Sequence, residues 1–259
     1  MNKPVENKVL HRFQKHRFLF EELVKRDFKQ KYKRTVLGMG WSLLAPLLTL
    51  FVMQLVFGRF FGRMEHYTIY LFCGNLLFSY FKEATNGGMN SLIGNAGIFT
   101  KVNVPKYLFL LSKNVSALIN FGLTLVIFFI FVYFDGIQFS LGFILLLYPI
   151  VCLVIFNLGF GMILSALFVF FRDIKYLYDV FTLMLMYCSA IFYTVPKRYM
   201  MYFMMNPVYT YIRYFRIVVL EGKIPSQEHH LLCAFYAFLV LGIGCWMYKK
   251  YNHKFLYYV

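Results

Sequence analysis

The sequence predicts an all-α integral membrane protein. It has six transmembrane helices, an N-terminal amphipathic interfacial helix and a re-entrant outer hairpin between spans five and six. Three observations predict this class. The 259 residues are 60% hydrophobic and only 15% charged, where a soluble domain carries about 45–50% apolar and about 25% charged residues. The apolar excess is gathered into blocks of bilayer-spanning length, roughly 20 residues each. Cations crowd at the border of the first block: Lys25, Arg26, Lys29, Lys31, Lys33 and Arg34 precede an uncharged run from Thr35 to Gly58.

Each element follows in order. Residues 10–34 place Phe20, Leu23, Val24 and Phe28 at helical spacing among Lys and Arg, the pattern of an amphipathic helix lying in the headgroup layer. The first span covers about 36–58; its block from Val36 to Phe57 rises about 33 Å as a helix, against a hydrocarbon core of about 30 Å. Further spans are predicted over about 67–87, 108–134, 141–171, 176–195 and 231–248. The third contains the uncharged run LINFGLTLVIFFIFVYF, and the fourth is long enough to tilt or to kink at Pro149. Residues 196–230 are too apolar for a simple exposed loop. They predict two short half-inserted helices broken at Asn206–Pro207, because a proline disfavours a helical residue before it. Non-helical backbone at that depth must line a cavity or be buried in protein. No linker, repeat or low-complexity tract divides the chain. Residues 1–34 therefore form a cytoplasmic N-terminal segment, 35–251 the membrane domain and 252–259 a cytoplasmic tail.

Orientation is read from Lys and Arg. With the N-terminus inside, the inner segments hold nineteen and the outer segments seven, so both termini are expected in the cytoplasm. The first apolar block lies too far in, and is too long, for a signal peptide.

Composition and motifs exclude several functions. The net charge of +16 is read as orientation signal beside anionic lipid, since no nucleic-acid-binding module surrounds it. Five cysteines fall in or beside apolar blocks, with an odd count and no CxxC pair, so they read as small buried residues rather than disulfides or metal ligands. The His229–His230 pair reads as a loop edge. There is no GxSxG, HExxH or intramembrane carboxylate pair, and GNAGIFTK (94–101) lacks the phosphate-loop spacing. No catalytic residue, cofactor or metal is assigned, and any ATP hydrolysis must reside on another chain. Lys82 and Glu83 are the clear ionisable residues inside a span. They are either functional or snorkelling, and the sequence leaves both open. The inner connection 88–106 is polar and rich in Gly and Asn; composition alone favours a passive loop over a docking element.

Four stretches carry a family resemblance. RDFKQKYKRTVLGMGWSLLAPLL (26–48) resembles the start of the first span in the membrane subunits of bacterial type-2 ABC exporters, in the branch exporting polysaccharides, O-antigens and teichoic acids. LIGNAGIFTKVNVPKYLFLLS (92–112) resembles that branch's inner loop, with Asn95, Lys101 and Pro105 in order. FFRD (170–173) closes the fourth span as in the family, and NPVYTYIRYFRIVVLEGKIP (206–225) resembles its outer hairpin. Lys82–Glu83 departs from the pattern.

The resemblance implies a permease subunit in the bacterial cytoplasmic membrane: a homodimer of this chain with two ATP-binding subunits, exporting a glycan on a polyprenyl pyrophosphate lipid. Gly94, Asn95, Ile98, Phe99, Lys101 and Pro105 would form the coupling loop to the ATPase. Lys29, Lys33 and Arg34 would meet the lipid pyrophosphate through charge-assisted contacts. The alternative for these cations is diffuse attraction to anionic lipid, about 1 kcal/mol each. Trp41, Tyr80, Tyr187 and Tyr193 are the aromatics expected along the path, and Asn206, Pro207, Arg213 and Arg216 the hairpin residues near the exit. Two rival readings remain: a drug or peptide exporter of the same architecture, and a membrane enzyme acting on lipid-linked sugars.

Overall fold

A computed structural model describes residues 6–32, 35–61, 64–101 and 104–258, and every element among them is helical. Helix α1 (Glu6–Tyr32) is the expected amphipathic element. Part of its apolar stripe is covered by protein. Leu23 is buried in a cluster with Leu92, Val104, Leu108 and Phe109, against which Leu19 and Phe20 also pack.

Helix α2 (Trp41–Phe61) starts later than position 36, after a tight turn over Gly38–Gly40. Gly38 has φ +51° there, a left-handed conformation that glycine adopts at least cost. Apolar side chains on much of α2 are exposed, among them Phe51, Val52, Leu55, Val56 and Phe60. Helix α3 (Tyr67–Asn90) takes the opposite role: from Ile69 to Phe78 almost every residue is buried. Helix α4 (Ala96–Phe99) is one turn in the inner connection, and α5 (Tyr107–Phe134) is a long apolar helix.

The fourth predicted span resolves into a 3-10 segment, Leu141–Leu146, followed by α6 (Leu147–Phe170). Pro149 therefore lies in the first turn of α6, where its missing N–H breaks no helical hydrogen bond. It stands two residues past the changeover from 3-10 to α-helix at Leu147. Helix α6 closes at Phe170, with Phe171 in extended backbone.

Helix α6 is central because glycines let its backbone meet two neighbours. A Cβ on Gly159 would come within 2.4 Å of the Leu241 nitrogen of α10 (Gln227–Tyr251), and one on Gly244 within 2.6 Å of the Gly159 oxygen. On another face, a Cβ on Gly88 of α3 would lie 2.9 Å from the Gly161 Cα. Small residues at such crossings allow the close van der Waals packing that drives helix association in lipid.

The fifth predicted span, 176–195, is occupied by a helix that ends before residue 195. Helix α7 (Ile174–Cys188) has 15 residues, a rise of about 22 Å that falls short of a hydrocarbon core of about 30 Å. The chain then leaves the helical path, with Ala190 at φ +46°. The reason is tertiary: side chains from α3 and from α9 (Pro207–Val219) take the carbonyls of residues 190–193.

The break expected at Asn206–Pro207 is present. It separates α8 (Met200–Met204) from α9. The Asn206 side-chain oxygen accepts from the amides of Val208 (3.0 Å) and Tyr209 (3.4 Å), an N-cap with proline at the first helical position. Helix α9 is buried on nearly every side. The tail is not free: α11 (Phe255–Tyr258) docks Phe255 beside Leu23, Leu108 and Phe109.

Among the described residues, four helical segments are long and apolar enough to cross a membrane: Trp41–Phe60, Tyr107–Phe134, Leu141–Phe170 and Gln227–Tyr251. Helix α3 has the length but carries Asn75, Lys82, Glu83 and Asn86, and α7 is too short. The molecule is thus an all-helical, multi-pass membrane protein. Cys73, Cys152 and Cys233 are buried, while Cys188 and Cys245 are exposed.

Candidate functional site

Two cavities meet at α1. The first is a basic cleft of about 740 Å³ between α1, the end of α3, the inner connection and α5, lined by Arg26, Lys29, Gln30, Asn90, Gly94, Asn95 and Lys113. Its wall is organised by Asp27, whose side chain is 1% exposed. Asp27 accepts from Arg26 Nη2 (2.8 Å), Lys113 Nζ (2.9 Å) and Ser112 Oγ (2.9 Å). Leu23 and Asp27 lie one turn apart on α1 and are both buried, so an apolar and an ionic anchor share one face.

Arg26 reaches across to the inner connection, where its Nη2 donates to Asn95 Oδ1 (2.7 Å) and Asn95 Nδ2 donates to the Ser91 carbonyl (2.7 Å). The structure therefore joins two predicted groups, placing Lys29 with Gly94 and Asn95. The cleft holds three cations against one carboxylate, which suits an anion. Lys33 and Arg34 lie outside the described residues.

In the rest of the inner connection, Ile98 packs against the Leu23 cluster. Phe99 closes α4, Lys101 is exposed and Pro105 opens the turn into α5. Lys106, at that turn, stands over the Phe255 ring at 5.5 Å, and burial lowers its pKa.

The second cavity, about 300 Å³, lies between α2, α3 and α5 with Lys31 of α1 at its edge. Asn75, Ser79 and Glu83 follow one another every fourth residue on α3, giving a polar stripe on one face. Asn120 and Thr124 of α5 and Ser42 and Thr49 of α2 face the same space. Glu83 Oε1 accepts from Lys31 Nζ (2.8 Å), and both Glu83 oxygens accept from Asn120 Nδ2 (3.2 and 3.0 Å). Lys82 is exposed, so the two adjacent charges have separate roles.

Trp41 and Tyr80 both line this cavity. Tyr80 is wall rather than open stacking face: it is 2% exposed, packs on Phe121 at 4.8 Å and donates to Asn114 Oδ1. Tyr187 and Tyr193 belong elsewhere, beside Phe192 and Phe203, with Tyr193 Oη donating to the Tyr187 carbonyl (2.7 Å).

A third cluster ties the 190–193 backbone to α3 and α9. Tyr67 Oη donates to the Phe192 carbonyl (2.9 Å) and Tyr70 Oη to the Tyr193 carbonyl (2.6 Å). Arg216 donates to the carbonyls of Ala190 (2.9 Å), Ile191 (3.1 Å) and Tyr70 (3.1 Å). Arg216 is 2% exposed, so its side chain is packed inside the protein. Arg213 pairs with Glu221 at 2.6 Å.

Sequence reasoning missed Asp27, Asn120 and the burial of Arg216. Only Asp27 left a signal, as an acid inside a basic run, one helical turn beyond an apolar position.

The architecture defines a multi-helix membrane protein with polar cavities inside the bundle. The ABC-2 type transporter family model matches residues 19–220, and the chain belongs to that family. Similar proteins include the O-antigen export system permease protein RfbA of Klebsiella pneumoniae, 26% identical over 247 residues that cover 92% of this chain and 95% of the relative. RfbA of Myxococcus xanthus is 23% identical, covering 96% and 98%. The polysialic acid transport protein KpsM of Escherichia coli is 21% identical, covering 92% and 95%.

Proposed function

We propose that this chain is the permease subunit of an ATP-driven exporter that moves a lipid-linked polysaccharide across the bacterial cytoplasmic membrane. The observation that carries this reading is its end-to-end similarity to O-antigen and polysialic acid export proteins. Two copies of the chain would assemble with two ATP-binding subunits. The broad apolar surface of α2, with Phe51, Leu55 and Phe60 exposed, supports a neighbour of lipid or protein there.

On this reading α3 and α7 complete six spans. Helix α3 tolerates Asn75, Ser79 and Glu83 because they face a cavity inside the bundle. The irregular backbone after α7 is tolerated because its carbonyls are taken by side chains, and α8–α9 form a hairpin re-entering from the outer face. Both termini lie in the cytoplasm. Residues 1–34, 35–251 and 252–259 act as cytoplasmic segment, membrane domain and tail. The basic cleft around Lys29 receives the lipid pyrophosphate, with Lys33 and Arg34 assigned to the same role from the sequence alone. Trp41, Tyr80, Tyr187 and Tyr193 flank the cargo's route, and Asn206, Pro207, Arg213 and Arg216 shape the hairpin at its outer end.

Deleting the gene is expected to trap glycan inside the cell, and affinity purification of the chain is expected to bring down an ATP-binding subunit. Lys101→Glu and Ile98→Asp should uncouple ATP hydrolysis from export. Lys101 is exposed, so its variant separates lost docking from lost folding. Normal export with ATPase stimulation unaltered in both variants would remove the coupling role of this loop.

Topology has its own test. Lys197 is exposed in the short turn before α8. In a background lacking Cys188 and Cys245, Lys197→Cys should react with a membrane-impermeant maleimide added outside intact cells. Reaction only in inverted vesicles would overturn the orientation.

A further inference from the structure

The 300 Å³ cavity between α2, α3 and α5 has a composition that names its ligand. It lies at the small end of ligand pockets, which run about 300–1,000 Å³, and so has room for a ring and not for a chain. Its wall offers amides (Asn75, Asn120), hydroxyls (Ser79, Thr124) and a carboxylate (Glu83). These are donors and acceptors at close spacing. Trp41, 39% exposed, borders them with an indole.

The charge inside is balanced, because Lys31 Nζ sits 2.8 Å from Glu83 Oε1. Asn120 Nδ2 donates to both oxygens of that carboxylate and holds it in place. A fixed carboxylate accepts from hydroxyl groups, amides donate to and accept from them, and an indole covers an apolar C–H face. A polyhydroxylated neutral ring satisfies all of these. An acidic ring brings a second carboxylate toward Glu83, whose countercharge is already engaged. Building repulsion against the wrong ligand is a common source of specificity.

We propose that this cavity is a seat for a single neutral sugar ring, with Glu83 as the specificity-determining residue that excludes acidic sugars and Asn120 as its positioning residue. The inference rests on the glycan-export reading and deepens it, because it predicts a cargo whose seated unit is uncharged.

The chain contains two tryptophans, so Trp246→Phe leaves Trp41 as the sole indole reporter. That variant, full length and in lipid nanodiscs, is titrated with methyl α-mannoside, methyl β-galactoside and the methyl glycoside of sialic acid, with glycerol as the control for bulk hydroxyl. A saturable change in Trp41 emission is expected with at least one neutral glycoside, at an affinity about tenfold or more above that for the sialoside. Glu83→Gln, which keeps the shape, should bring the two affinities within about threefold of each other. Asn120→Leu should abolish the neutral response. A neutral response no larger than that of glycerol overturns the seat. Equal affinity for the sialoside in the parent overturns the selectivity. Because Glu83→Gln is read as a ratio, it bears on the proposal even if Asn120→Leu fails to fold. Gene deletion separates the two levels. If glycan is trapped in the cell but no glycoside binds, only the seat falls; if export continues without the gene, the exporter reading falls whatever the titration shows.

Discussion

Arg216→Ala is expected to cost roughly 2–4 kcal/mol, the largest loss of stability at any single polar side chain in the bundle. The guanidinium is 2% exposed, donates to three backbone carbonyls and lies 3.4 Å from the centroid of the Tyr70 ring. Removing it leaves the Ile191 carbonyl without its donor and takes one of two donors from the Ala190 carbonyl, which also accepts from Tyr70 Oη at 3.3 Å, in a buried non-helical segment. An unsatisfied buried acceptor costs about 1–3 kcal/mol, and the vacated volume adds a cavity term. Lysine is a poor substitute, because a compact ammonium cannot reach three carbonyls from one planar fork. Gly74→Ala should act in the same direction, since its Cβ would fall 2.9 Å from Arg216 Nη2 and 3.3 Å from the Ile191 Cα. Thermal unfolding of detergent-solubilised protein, followed by loss of the monodisperse size-exclusion peak, reads the effect. A midpoint within a degree of the parent for Arg216→Ala would show that the 190–193 backbone is held by other means.

Asp27→Ala is expected to abolish export while leaving the membrane bundle folded. Its carboxylate is the point where α1 meets α5, and it joins Arg26, Lys113 and Ser112. Breaking a buried ion pair from one side costs about 3–5 kcal/mol. Here Arg26 and Lys113 retain 39% and 25% of their exposure, so solvent screening reduces this to about 2 kcal/mol. That loss falls on one helix rather than on the whole protein. Freed from α5, α1 also loses the Arg26–Asn95 contact to the inner connection, and the basic cleft loses one wall. The expected readout is at least a tenfold fall in export at matched membrane levels, with faster proteolysis within α1 and an unchanged yield of the ATPase complex. A variant that exports normally, with α1 equally protected, would show that Leu23 and its apolar neighbours suffice to dock the helix.

Legibility in the sequence followed the source of each helix's stability. Helices α2, α5, α6 and α10 were visible because lipid acts on them one at a time: a continuous apolar run of spanning length is enough. The capped break at Asn206–Pro207 was visible for a similar reason, since proline and an asparagine N-cap act within a few residues. The basic run and the spacing of Phe20, Leu23, Val24 and Phe28 pointed to α1, although its covering proved to be α5 and the inner connection. The end of α7 at Cys188 was not legible, because nothing in residues 174–195 marks it. The groups that end it are Tyr67, Tyr70 and Arg216, each over twenty residues away in sequence.

The candidate site divides in the same way. Lys29, Gly94 and Asn95 were legible as separate groups, but their meeting depends on Asp27 and Arg26 folding α1 back against α5. Glu83 was visible as a charge in an apolar block, and its purpose was not, because Lys31 and Asn120 reach it from other helices. By itself, the sequence determined that this protein lives in a membrane, which runs are long and apolar enough to make spanning helices and where its family resemblance lies. All of these depend on local hydrophobicity, local charge and turn residues. Only the tertiary structure decided where α7 stops, which tyrosines are wall, and that a buried aspartate and a half-buried glutamate organise the two cavities. Inside a bundle a polar group is stabilised by partners from other helices, and their identity is set by packing rather than by neighbours along the chain.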